Sequence, residues 1–142
     1  MKTLFKFFLI TISVSSASIS LSQDAHPEYV SMISLISNPE RYENKLIRVR
    51  GYFFHSSSSY NFLYDNIEDH KGGLLKNSIG VHPIPKNFQI PEQYKDKIGK
   101  KPLTDVHAKY VTFTGRFRQH LPYRISSLPT GIIEVLFFED YP

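Results

Sequence analysis

The ten residues Leu46–His55, with the sequence LIRVRGYFFH, form the most regular strand pattern in this chain. Apolar and small residues occupy Ile47, Val49, Gly51 and Phe53, and they alternate with Leu46, Arg48, Arg50, Tyr52 and Phe54. Because successive side chains of a strand point to opposite faces, one face is apolar and the other is basic and aromatic. Gly51 within this run predicts a bulge or a sharp bend, which a strand needs where it coils around a small barrel.

Four further segments have the residue pattern of strands, namely residues 60–65, 78–82, 108–117 and 132–138. A short serine loop joins the first of them to Leu46–His55, so these two strands are expected to form a hairpin. Upstream, apolar residues spaced three and four apart from Tyr29 to Ile36 predict a helix that ends before Pro39. In the long connection after the third strand, Pro91 favours one or two helical turns within residues 91–98.

The predicted order is therefore a helix, three strands, a long connection and two strands. Five strands with a break after the third match the layout of the OB-fold, a partly open Greek-key barrel. Gly51 and Gly115 lie at equivalent places in the first and fourth strands, where closure demands strong coiling. We predict that residues 23–142 form a single, mainly β domain: a five-stranded OB-like Greek-key barrel with an N-terminal helix and a short helix between strands three and four. A five-stranded sandwich, or an open sheet backed by the first helix, fits the same pattern.

The same alternation predicts which side chains form the core. Buried side chains are expected at Ile47, Val49, Phe53, Val111, Phe113 and Leu136, which occupy alternate positions of the strongest strands. Residues 39–45 have the composition of a compact turn, and Asn44 within it is expected to adopt the left-handed backbone conformation.

Residues 1–22 have the layout of a secretory signal peptide, in which Lys2 and Lys6 open an apolar run that small residues follow. The apolar run is about a dozen residues long, shorter than the ~20 that span a bilayer. Cleavage after Ser22 or after Ala17 is therefore expected in preference to a retained anchor. We predict an exported protein, periplasmic or secreted, with no lipid anchor because the chain has no Cys.

The composition excludes several classes of chemistry. With no Cys among 142 residues, the chain has no disulfide, thiolate zinc site, iron–sulfur cluster or cysteine nucleophile. Its formal charge of +4 falls to +2 when residues 1–22 remove two lysines and no acid, so a strongly basic surface for nucleic acid is not expected. The sequence has no Gly-x-Ser-x-Gly elbow and no Gly-rich phosphate loop. We therefore predict that the protein is not an enzyme and holds no cofactor.

The six histidines lack the close spacing of a local metal site. Distant segments could still assemble one, for instance from His55, His82, His120 and Asp65. Since most histidines in proteins are not metal ligands, we predict no metal site and interpret these side chains as solvated loop residues.

The clearest binding signal is a set of basic and aromatic residues on the strands. Arg48, Arg50 and Tyr52 share one face of the first strand, Tyr60, Phe62 and Tyr64 share one face of the second, and Arg116 lies on the fourth. OB-folds bind oligonucleotides and oligosaccharides over the second and third strands, aromatic faces stack on bases or sugars, and arginine forks bind carboxylates or phosphates. We predict that these seven residues form a ligand surface. The competing interpretation places the aromatic triplet in the core and the arginines on a solvated exterior.

Part of the sequence resembles a recurring pattern in uncharacterised bacterial exported proteins. The pattern is a short helix that ends in Asn38-Pro-Glu-Arg-Tyr42 and leads through Asn44-Lys45 into the Val49-Arg-Gly51 strand. The segments Phe62-Leu-Tyr-Asp65 and Tyr110-Val-Thr-Phe-Thr-Gly-Arg-Phe117 are similar to that group as well. The resemblance covers most of residues 29–118 and implies an OB-like barrel, and it implies no activity.

These observations together predict an exported, non-catalytic binding or interaction module. The partners that suit it are a cell-envelope glycan, an anionic small molecule or a protein, in preference to nucleic acid. A small hydrolase with an active site assembled from loops is the alternative. A third reading is a structural subunit that offers an exposed strand edge to a partner.

Overall fold

Six strands, two short α-helices and four 3-10 segments make up the part of the chain that the computed structural model describes, residues 26–56, 61–119 and 131–141. The strands are β1 (Glu28–Val30), β2 (Leu46–His55), β3 (Asn61–Tyr64), β4 (Ser78–Pro83), β5 (Lys109–Arg118) and β6 (Ile132–Asp140). The α-helices are α1 (Met32–Ser37) and α2 (Ile67–Lys71). The 3-10 segments are Pro39–Tyr42, Leu75–Asn77, Glu92–Lys97 and Leu103–Val106. Among the described residues, no helix is long and apolar enough to cross a membrane.

Five of the strands close into a barrel in the order β2-β3-β4-β6-β5, and β5 pairs back onto β2. The closing β2–β5 ladder runs from Leu46 opposite Arg116 to Phe53 opposite Lys109. All neighbours in the barrel are antiparallel except β4 and β6, which run parallel. Three consecutive antiparallel strands followed by a long connection to a closing pair form an OB-type Greek-key barrel. The predicted fold class is confirmed, and the 3-10 segment Glu92–Lys97 lies where a short helix was expected.

The inward side chains of the strands form the main core. They include Phe53 and Phe113, whose rings meet edge to face with centroids 5.2 Å apart, and Phe117. Five of the six predicted core residues belong to this cluster and are fully buried: Ile47, Val49, Phe53, Val111 and Phe113. The alternation in β2 and β5 therefore identified both strands and their inward faces.

A bulge in β6 creates a second apolar cluster outside the barrel. Thr114 pairs with Phe137 and Gly115 pairs with Val135, so Leu136 is the extra residue of the bulge. Because a bulge shifts the alternation by one residue, two consecutive side chains of β6 face outward. Leu136 and Phe137 pack there with Leu46 and Tyr94, and apolar residues of the connection 84–108 cover them. The predicted core residue Leu136 is thus buried, but in this outer cluster.

The start of the described chain differs from the predicted helix. Tyr29 and Val30 belong to β1, which pairs in parallel with β2 over Glu28–Val30, and α1 begins at Met32. Ser31 fixes this boundary because its side chain accepts a hydrogen bond from the backbone N–H of Ser34, as a helix N-cap does. The predicted turn is confirmed, since the φ of Asn44 is 61°.

The sequence predicted a bulge or a sharp bend at Gly51, and the structure has no bulge there but a close approach of two strands. A Cβ atom at this position would lie 2.3 Å from the carbonyl oxygen of Tyr64 and 2.8 Å from Cγ of Leu63. The β5–β6 ladder carries a bulge instead, at Leu136 of β6, opposite Thr114 and Gly115 of β5. Glycine at position 51 therefore lets β2 and β3 approach each other more closely than any side chain would allow.

Candidate functional site

The two arginines of β2 face outward and contact tyrosines that sequence reasoning missed. Arg48 forms an ion pair with Glu139, and its guanidinium lies 5.7 Å from the ring centroid of Tyr29. Arg50 lies 3.4 Å from the ring centroid of Tyr141 and 5.7 Å from that of Tyr110. Of these tyrosines, Tyr110 could have been found from the pairing of the two strands. The β2–β5 ladder places it opposite Tyr52, two residues from Arg50 on the same face.

The predicted aromatic platform is largely covered. Tyr52 lies opposite Tyr64 on the outward face of the hairpin, and only 7% and 5% of these residues are exposed. Helix α2 covers them, because the ring of His70 lies 5.5 Å from Tyr52 and 5.1 Å from Tyr64 between centroids. Phe62 is half-buried, and Tyr60 lies outside the described residues. The predicted ligand surface is therefore wrong at Tyr64, because helix α2 follows β3 and covers its ring.

Burial changes the chemistry of this aromatic group. Removal from water disfavours the phenolate and raises the pKa of Tyr64 above its ordinary value of 10.0. Within the described chain, Nδ1 of His70 is buried and has no hydrogen-bond partner. The cluster is therefore a packing unit between α2 and the barrel, and its rings have little surface left for a ligand.

The guanidinium of Arg116 is also held by a partner within the fold. Its Nε and Nη2 lie 2.6 and 2.5 Å from the same carboxylate oxygen of Glu134. Only 19% of the Arg116 side chain and 11% of the Glu134 side chain are exposed, and the guanidinium lies 4.6 Å from the ring centroid of Phe88. The six predicted site residues that the structure describes thus separate into an arginine–tyrosine face, a covered aromatic cluster and this ion pair.

Of the histidines that the structure describes, His55 and His107 are hydrogen-bonded neighbours, and His70 is a half-buried residue of α2 and not the solvated loop residue that was predicted. Nδ1 of His55 lies 2.6 Å from Oδ1 of Asn61, and the backbone N–H of His55 donates to Nδ1 of His107 over 3.2 Å. His55, His107 and Thr104 line an open groove beside Phe54. Among the described residues no three metal-ligating side chains converge, and His120 of the suggested metal set lies outside them.

A cavity opens where the pairing of β4 with β6 ends. The last pair of that ladder is Pro83 with Val135, while β6 continues to Asp140. The connection 84–108 passes this opening, and together they enclose about 380 Å³. We name this cavity the seam pocket, and it is lined by Pro83, Ile84, Lys97, Ile98, Gly99, Lys100, Lys101, Leu103, Val135, Leu136, Phe137, Phe138 and Glu139.

The seam pocket lies between the two apolar clusters of the protein. Val135 belongs to the barrel core, against which Leu103 and Phe138 pack, while Leu136 and Phe137 belong to the outer cluster. Its walls are therefore apolar on both sides of the β6 backbone. No single stretch of sequence predicts this pocket, because the pocket depends on where β4 ends and on the path of the long connection.

Three lysines give the rim of the seam pocket a positive charge. Nζ of Lys97 lies 5.0 Å from the ring centroid of Phe137, and Nζ of Lys101 donates to the Asp140 carboxylate over 3.0 Å. Lys100 is exposed and forms no ion pair with any described residue. The carboxylate of Glu139 is held by Arg48. The pocket thus presents apolar walls with free positive charge at the entrance.

Comparisons with known proteins add little to this description. No protein-family model matches the chain, and no curated protein matches it. A search of solved structures finds similarity to a protein assigned as an aspartyl-tRNA synthetase from Leishmania major Friedlin, at 14% identity and a TM-score of 0.47. The alignment covers 92% of this chain and 23% of that chain, so this chain spans about a quarter of its length. The OB-like fold of this protein rests on its own strand order and pairing.

Proposed function

We propose that this protein is an exported, non-catalytic binding module, and that the seam pocket binds an anionic molecule with an apolar body. This proposal is supported by one observation: a single concave site has both apolar walls and a rim of lysines. Ligand pockets commonly enclose about 300–1,000 Å³ and combine apolar walls with a few polar groups that orient the ligand. A cavity of about 380 Å³ falls within that range.

The energetics favour an amphipathic anion over a purely polar ligand. Each Å² of apolar surface removed from water stabilises a complex by roughly 25 cal/mol before the cost of association. Leu136, Phe137 and Leu103 supply such surface, while Lys100 supplies a charge without an ion-pair partner among the described residues. An apolar body with one carboxylate or phosphate therefore satisfies both parts of the pocket.

The chemistry of the lining supports binding without catalysis. The residues that line the seam pocket include no His, Ser or Thr, and their one carboxylate, Glu139, is paired with Arg48. A general base needs a free lone pair within hydrogen-bond reach of the reacting proton. The lysines and the apolar walls offer a place to hold a ligand and no group positioned to cleave it.

Export is supported by the pattern of residues 1–22, which lie outside the described part of the chain. Lysines, an apolar run and small residues follow in the order of a signal peptide. Mass spectrometry of the protein from its producing cell is expected to find an N-terminus between residues 18 and 23. An intact Met1 on a membrane-bound protein would contradict export.

Calorimetry with sodium octanoate and 1-octanol tests the site. Octanoate is expected to bind more tightly than the neutral alcohol, because both fill the apolar walls and octanoate alone pairs with the rim. Lys100→Gln is expected to weaken octanoate binding roughly fivefold, the scale of an exposed ion pair of about 1 kcal/mol. Lys76→Gln, at an exposed lysine outside the pocket lining, is the matched control and should leave binding unchanged.

A pocket-filling variant provides the second arm of this test. Ile98→Trp adds volume at a half-buried position of the lining and is expected to abolish binding of both probes. Circular dichroism of each variant checks that the barrel is retained. Equal affinity for octanoate in the wild type and in Ile98→Trp would show that the probe binds elsewhere, and the proposal would fail.

A further inference from the structure

The backbone of β6 has hydrogen-bonding groups that face the seam pocket. In an antiparallel ladder, alternate residues direct both N–H and C=O toward the partner strand, and the residues between them direct these groups away. The backbone N–H of Tyr141 donates to the C=O of Tyr110, so Tyr141 faces β5. Counting back along β6, Glu139 also faces β5, and Phe138 and Asp140 face the opposite side.

The opposite side of β6 at these residues is the open seam. Earlier in the strand this side pairs with β4, and its last backbone bond is the N–H of Ile84 donating to the C=O of Val135 over 3.3 Å. No described residue forms a backbone hydrogen bond with Phe138 or Asp140 on this side. Phe138 is half-buried and lines the pocket. A strand edge with unpaired N–H and C=O groups is a template on which another extended chain can pair.

We propose that the ligand of the seam pocket is an extended peptide with an acidic group, which adds to β6 as a strand alongside Phe138 and Asp140. This inference rests on the proposed function and names its ligand class. The N–H and C=O of Phe138 pair with the peptide backbone, as in other complexes formed by strand addition. Side chains of a strand alternate in direction, so an apolar side chain enters the pocket beside Leu136 and Phe137. The acidic group of the peptide pairs with Lys100.

A small amphiphile cannot complete this site. An alkyl chain fills the apolar walls and its head group reaches the lysines, but it leaves the N–H and C=O of Phe138 without partners. A neutral peptide pairs with the backbone but leaves Lys100 unpaired. The combination of an open strand edge, apolar walls and a lysine rim therefore selects a peptide that carries both an apolar and an acidic residue.

Two acetylated pentapeptides, Thr-Val-Thr-Val-Asp and Thr-Leu-Thr-Leu-Glu, serve as probes in calorimetry with the full folded domain. At least one is expected to bind, and its analogue with an amide in place of each carboxylate is expected to bind more weakly. N-methylation is then placed at each amide of the peptide in turn. Methylation at alternate amides is expected to weaken binding by about tenfold or more, because only alternate N–H groups face β6.

Substitutions in the protein separate backbone from side-chain effects. Asp140→Pro removes the backbone N–H at that position, and Asp140→Ala removes only the carboxylate and its contact with Lys101. Proline is tolerated on an unpaired strand edge, so both variants are expected to fold, and Asp140→Pro should bind the peptide more weakly than Asp140→Ala does. Hydrogen exchange of the Phe138 amide is expected to slow when peptide is added, while that of Glu139, already paired with β5, should not change.

The outcomes of these experiments distinguish the two proposals. If octanoate binds and neither peptide does, the peptide proposal is overturned and the binding function stands. Equal binding of all N-methylated peptides would also overturn it, because strand addition requires the backbone. If neither octanoate nor peptide binds, the seam pocket is not a ligand site and both proposals fail.

Discussion

The imidazole of His70 is stacked on the ring of Phe54, with centroids 4.2 Å apart and planes inclined by 28°. This contact joins α2 to the outward face of the β2–β3 hairpin. The same imidazole lies beside Tyr52 and Tyr64, so one short helix covers both of these tyrosines, which the sequence assigned to a ligand surface. The contact therefore covers the hairpin and leaves the seam between β4 and β6 as the candidate site.

The position of α2 depends on a buried carboxylate. Asp69 is only 8% exposed, and it accepts hydrogen bonds over 3.0 Å from the amides of Asn66 and Asn77. Asp69→Ala leaves both amides without this acceptor and is expected to lower the free energy of unfolding by about 1–3 kcal/mol. Urea denaturation followed by circular dichroism measures this change, since the chain has no Trp for fluorescence.

Glu68→Ala is the matched control for this prediction. Glu68 precedes Asp69 in α2, but its side chain is 75% exposed and forms a surface ion pair with Lys71. We expect a change within about 0.5 kcal/mol. Equal losses in the two variants would contradict a special role for the buried carboxylate.

The buried phenol of Tyr64 predicts a loss of stability in alkali. Because burial raises the pKa of Tyr64 in the folded state, the unfolded chain loses this proton first as pH rises through 10.0. The stabilisation is therefore fully present below pH 10 and declines above it. Tyr64→Phe removes this ionisation and should make the free energy of unfolding fall less steeply between about pH 9 and pH 11. A difference between the two proteins that stays constant over this range would contradict the prediction.

The barrel core predicts a large cost for one aromatic truncation. Phe113 is fully buried and packs edge to face against Phe53 and against Phe138. Phe113→Ala is expected to cost about 3–5 kcal/mol in denaturation experiments, the usual range for a buried Phe. Lys109→Ala, at an exposed position of the same strand, should change stability by less than about 0.5 kcal/mol. A loss below about 1 kcal/mol for Phe113 would place its side chain at the surface.

The strands could be predicted from the sequence because their burial is periodic. In β2 and β5 the inward positions carry Val49, Phe53, Val111 and Phe113, and a period of two is specific to strands. β1 has only three residues, and its apolar Val30 continues into the helical spacing of α1. Nothing local separates the two elements except the capping side chain of Ser31.

The binding face could be predicted less well because its exposure depends on neighbours distant in sequence. Tyr64 lies on the outward face of β3, where its position in the alternation suggests contact with water. Helix α2, which follows β3 in the chain, covers its ring. Arg48 and Arg50 meet tyrosines near both ends of the described chain, Tyr29 and Tyr141. The seam pocket requires the end of β4, the bulge at Leu136 and the path of the long connection together. No periodicity in one segment encodes such a combination.

The last prediction concerns Gly51, where β2 and β3 approach each other closely. Because a Cβ atom there would lie 2.3 Å from the carbonyl oxygen of Tyr64, the neighbouring backbone would have to move. That oxygen belongs to β3, whose ladder with β2 sets its position. Gly51→Ala is therefore expected to destabilise the protein by about 1–3 kcal/mol or more, as overpacking does.

Gly72→Ala is the matched control, because the backbone of Gly72 is in the right-handed helical region and the nearest atom to a new Cβ lies 3.2 Å away. A smaller change is expected there, since a shift of a few tenths of an ångström relieves the contact. Amide exchange adds a second measurement: Gly51→Ala should accelerate exchange in the β2–β3 hairpin more than in the β5–β6 ladder. If Gly51→Ala were as stable as the wild type, β2 and β3 could not approach as closely as this fold requires.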